Sequence, residues 1–91
     1  MSTLDEQFQK AQDVLKDKAK FAKLNTKQKL TVYALAKQAA NGKNTAPQPK
    51  KTDMVAYYKW TAWDNVSKLS KEEAKKQFVD FVKSVFPDSK L

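Results

Sequence analysis

Gly42 is the only glycine in the chain, and Pro47, Pro49 and Pro87 are its only prolines. Glycine and proline punctuate local structure, and a many-stranded β domain needs them at every turn. Here three of the four fall between residues 42 and 49 and the fourth lies near the end. Long stretches are left in which a helix meets no obstacle. The dominant residues, Lys, Ala, Gln, Leu and Glu, are good helix formers. The expected fold is therefore all-α, in one domain spanning residues 1–91.

Four helices follow from periodicity and capping. The first spans about 3–18, where Leu4, Phe8, Ala11 and Leu15 form a stripe and Asp5 and Glu6 favour the N-terminal end of the helix dipole. "KDKAKFAKLN" loses that stripe and reads as the helix exit plus a basic connection. The second helix spans 26–41, opened by Asn25 with Gln28 or by Thr26 with Lys29, and closed by Gly42. "KNTAPQPKKT" is then a crossover loop, long for a bundle. The third helix covers 53–67. The fourth covers 70–86, from the Ser70–Glu73 capping box to Pro87, with Ala74, Phe78, Phe81, Val82 and Val85 as its stripe. Four amphipathic helices with one long crossover make a four-helix bundle.

Composition narrows the function. The chain has no cysteine and no histidine, so thiolate metal sites, disulfides and the commonest general base are all missing. No catalytic constellation and no metal-ligand or phosphate-loop motif is present, and a binding module fits better than an enzyme. No apolar run reaches the length of a membrane span. The opening residues are polar and acidic, unlike a signal peptide, and a cytoplasmic monomer is expected. The formal net charge of +8 comes from eighteen lysines with no arginine. Such a surplus suits an anionic partner: a phosphorylated small molecule, a nucleic acid or an acidic membrane. Without arginine, base-specific DNA reading loses its usual tool.

Two lysines stand where apolar residues belong. On the third helix Val55, Ala56, Trp60, Ala62, Trp63 and Val66 share a face, and Lys59 falls in its middle. On the second helix Lys37 projects between Leu30 and Tyr33, with Tyr33 one turn before it. Either lysine could bury its stem and extend its charge to water. Neither has a carboxylate at i±3 or i±4 on the same face, so an anion from outside is the other answer. With aromatic rings beside both, that ligand would carry a phosphate and a flat or apolar part. Trp60 and Trp63 read as core packing rather than as a stacking platform.

"FQKA", "YALAKQAANG" and "KWTAWDNVSKLSKEEAKKQF", in this order, resemble the successive motifs of the acyl-CoA-binding protein family over nearly the whole chain. The resemblance implies a four-helix bundle that binds, buffers and transports medium- to long-chain fatty acyl-CoA esters without catalysis, cofactor or metal. Carried over by position, Tyr33 stacks on adenine, and Lys37 and Lys59 meet the 3′-phosphate. Lys16 matches the family's lysine on the first helix, while Leu30 and Ala11 line the acyl groove. Phe78 and Ala36 occupy ligand-contacting positions where the family usually has aromatic residues, a tyrosine in the first case. Lys29 replaces a frequent methionine, and the connection between the first two helices is about two residues longer. The other readings are a lysine-rich nucleic-acid module, a protein with transient membrane-surface contact and, more remotely, a thioester-acting enzyme.

Overall fold

The computed structural model describes residues 3–88 and residue 91, all helix and loop. Its helices are α1 (Leu4–Lys16), α2 (Lys18–Ala22), α3 (Thr26–Asn41), α4 (Met54–Asn65) and α5 (Lys71–Val85). The all-α bundle expected from the sequence is what forms, with one addition. The stretch read as a basic connection contains the short helix α2. Asp17 is responsible: it ends α1 in extended conformation, and its carboxylate accepts the backbone N–H of Ala19 at 2.9 Å. A side chain that caps so locally redirects the chain without any hydrophobic stripe.

The other boundaries follow the capping chemistry. Asn25 and Gln28 exchange hydrogen bonds of 2.8 and 2.9 Å, which settles the register of α3 in favour of the first cap pair. Ser70 and Glu73 form the corresponding box on α5. Gly42 closes α3 at φ +77°, in the region L-residues avoid.

α5 packs against both α1 and α3, and α4 packs against α3. The core lies along the α1–α5–α3 seam: Ala11, Val32, Leu35, Phe78, Val79 and Val82, with Leu24 from the α2–α3 turn. α4 contributes no fully buried residue. Its expected apolar face is therefore only partly covered, and Val55 is 66% exposed. A helix with one main partner buries one flank and leaves the next open.

The tryptophans also depart from expectation. Trp60 and Trp63 are half-buried, outside the core cluster, and their indole N–H groups hold the crossover. Trp60 donates to the Ala46 carbonyl at 2.8 Å, and Trp63 donates to Gly42 O and Gln38 Oε1, both at 3.1 Å. Buried Gln38 in turn donates to the carbonyls of Leu69 and Ser67, tying α3 to the α4–α5 turn. Asn44 completes the clamp: its side chain donates to Trp60 O, and its backbone N–H to Ser67 Oγ. Replacing Trp63 by phenylalanine leaves Gln38 Oε1 without that donor. An expected loss of about 1–2 kcal/mol in urea unfolding follows. A midpoint unchanged from the parent would show that the clamp contributes nothing.

Candidate functional site

Tyr33, on α3, walls two open cavities. One, of about 410 Å³, lies against α1, α3 and α5 and is lined by Leu15, Lys16, Ala36, Lys37 and Phe78 among others. The other, of about 360 Å³, lies between α2, the start of α3 and α4, and is lined by Phe21, Lys29, Leu30, Val55 and Lys59. Of the eight residues singled out from the sequence, seven line these two spaces. The eighth is Ala11. It was expected on the acyl groove but is 0% exposed inside the core and lines neither cavity. It sits on the inner line of α1, where α5 closes over it.

Lys37 and Lys59 come from different helices and meet at one ring. Their ammonium groups lie 5.8 and 5.3 Å from the Tyr33 ring centroid. The two charges are thus no farther apart than the sum of those distances. At that widest separation, like charges repel by roughly 0.4–1.5 kcal/mol between bulk-water and surface-like dielectrics. A ring contact at an exposed site returns about 0.5–1 kcal/mol per cation, so the arrangement has little net stability alone. An anion placed between the lysines gains attraction from both. Among the described residues neither lysine makes a salt bridge.

Lys59 is exposed rather than central to a buried stripe, since the flank of α4 that carries it borders the second cavity. That answers how an ammonium sits on this apolar face: the face opens onto a cleft. Lys16 is placed differently from the pair. It pairs with Asp13 at 3.2 Å, a highly exposed i, i+3 contact of small energetic weight.

Phe78 is 1% exposed and meets Phe8 edge-to-face at 5.0 Å. A ring without a hydroxyl suits a position this enclosed, where a phenol would need a partner. Ala36, small and half-buried, leaves its side of the first cavity open. Lys29 reaches over the Phe21 ring at 5.3 Å on the wall of the second cavity. Phe21 and Val55 were missed as lining residues. The available signal was one aromatic residue within an otherwise basic connection.

A larger hollow, of about 510 Å³, lies between α2 and the end of α5, lined by Lys20, Lys23, Phe86 and Asp88 among others. It has no ring flanked by two cations, and an acid shares its wall. Size alone does not make it the better candidate.

Comparison with known proteins gives a consistent picture. Residues 5–82 match the family model described as "Acyl CoA binding protein". The acyl-CoA-binding protein of Saccharomyces cerevisiae is 40% identical over 60 residues, covering 66% of this chain and 69% of the yeast protein. Enoyl-CoA delta isomerase 2 of Rattus norvegicus is 44% identical over 61 residues, or 67% of this chain. The chain spans only 16% of that enzyme's length. The crystal structure of Oryza sativa acyl-CoA-binding protein 2 superimposes with a TM-score of 0.83 at 32% identity, covering 93% of this chain and 90% of the rice chain.

Proposed function

The chain belongs to the acyl-CoA-binding protein family, and from that premise we propose that it binds, buffers and carries medium- to long-chain fatty acyl-CoA esters without transforming them. The observation that carries this reading is the convergence of Lys37 and Lys59 on the Tyr33 ring, between two cavities. A CoA ester needs a cationic site for its phosphates, a ring for its base and an apolar surface for its acyl chain. In this reading Tyr33 stacks on the adenine in the first cavity, with Ala36 and Phe78 as apolar walls and Lys16 at the rim. Lys37 and Lys59 hold the 3′-phosphate, and Leu30 receives the acyl chain in the second cavity.

Titration calorimetry with palmitoyl-CoA, free CoA and duplex DNA tests it. Palmitoyl-CoA is expected to bind much more tightly than free CoA, because each buried methylene adds about 0.8 kcal/mol. Equal affinity for free CoA would remove the acyl groove. Tight duplex binding that CoA esters fail to displace would favour the nucleic-acid reading.

A further inference from the structure

The chain has four asparagines, and three of them precede a β-branched residue: Asn25 before Thr26, Asn44 before Thr45, and Asn65 before Val66. A branched Cβ crowds the backbone nitrogen of its own residue. Asn41 instead precedes Gly42, whose nitrogen no side chain shields. Two of the others are also engaged: the Asn25 side chain caps α3, and the Asn44 side chain bonds both Trp60 O and the Ala46 N–H. Asn41 is exposed, on the wall of the first cavity.

Asn41 is the last residue of α3, and the Gly42 N–H donates to Gln38 O at 2.9 Å. Opening that one final turn frees the nitrogen, and helix ends are where opening costs least. The surroundings are cationic. Lys37 lies one turn before Asn41, Lys43 follows Gly42, and a Cβ on Gly42 would sit 3.4 Å from Lys71 Cε. Positive charge favours loss of the amide proton and the anionic intermediate that follows.

We propose that Asn41 is a site of spontaneous deamidation, and that the acid formed there weakens the anion site around Tyr33. The Gly42 nitrogen bonds to Asn41 Cγ, the Cγ–Nδ2 bond breaks, and ammonia leaves with the amide proton. Water then opens the cyclic imide at either carbonyl, giving aspartate or isoaspartate at position 41. The sum is asparagine plus water to acid plus ammonia. The new carboxylate stands at i+4 from Lys37 and shares a cavity wall with Lys16. It pairs with the Lys37 ammonium and competes there with a ligand's phosphate. The isoaspartate form also adds a backbone carbon just ahead of Gly42 O, which holds the Trp63 indole. The effect on binding deepens the acyl-CoA reading and rests on it, whereas the modification itself does not.

Ligand-free protein held at physiological temperature, then mapped by peptide mass spectrometry and isoaspartyl methyltransferase labelling, tests the site. Asn41 is expected to convert on the order of tenfold faster than the other three asparagines. Asn41→Asp is expected to bind palmitoyl-CoA about fivefold more weakly than fresh parent, with unchanged far-UV circular dichroism. Aged parent loses affinity in proportion to its converted fraction. Asn41→Gln, aged alongside, keeps the affinity it starts with, because its longer side chain must close a larger ring. Conversion at Asn41 no faster than at the other three overturns the site. Binding by Asn41→Asp as tight as that of fresh parent overturns the effect on the anion site. Conversion at Asn41 in a parent that does not bind palmitoyl-CoA supports the modification site while removing the proposed function.

Discussion

Lys37→Ala or Lys59→Ala is expected to weaken palmitoyl-CoA binding by about 1–3 kcal/mol, the scale of a lost hydrogen bond to a charged group. The double replacement is expected to have the larger effect, though less than the sum. Both ammonium groups lie against one ring and would share one phosphate, and neighbouring contacts of that kind are not additive. Calorimetry in moderate salt is the measurement. Lys76→Ala is the control, because Lys76 is exposed on α5, lines neither cavity, and removes the same unit of charge. If Lys76→Ala costs as much as either site variant, the lysines act only through overall charge and no phosphate site exists. Stability should change little in all of these variants, since the ring contacts themselves are weak.

The largest stability effect is expected at Phe78. It is among the largest fully buried side chains, it packs edge-to-face on Phe8, and it joins the α1–α5–α3 core to the wall of the first cavity. Phe78→Ala removes a ring from close-packed surroundings and leaves a void. The expected loss is about 3–5 kcal/mol. For a domain of this size, whose total stability is roughly 5–14 kcal/mol at typical values per residue, that is a large share. Urea unfolding checks it, through a lower midpoint at nearly constant slope. A loss below about 1 kcal/mol would mean that the ring is not seated in the core as described.

What the sequence made legible was mostly local. The cap pairs Asn25–Gln28 and Ser70–Glu73 and the Gly42 stop act over three or four residues, so pattern and outcome agree. The Tyr33–Lys37 neighbourhood is an i, i+4 relation and was equally readable. Asp17 shows the limit at short range, because one capping carboxylate made a helix where hydrophobic periodicity had faded. What was not legible depends on which helices touch. Periodicity alone does not say that Lys59 reaches a ring on α3, or that Ala11 faces α5 rather than the cleft. The α4 stripe was read as buried because it is apolar, yet α3 covers one flank only. The tryptophans were misassigned for a related reason. Their N–H groups find acceptors 14 to 25 residues away, at Gly42 and Ala46 on the crossover and at Gln38 on α3, which only the packing of α4 and the crossover against α3 brings within reach.

Those indole contacts decide what light emitted by this protein can report. Both of its chromophores of this type are hydrogen-bonded to the segment leaving α3, and neither lines the two spaces around Tyr33. Their emission is therefore a gauge of whether that segment is seated, and cargo registers in it only insofar as the seating changes.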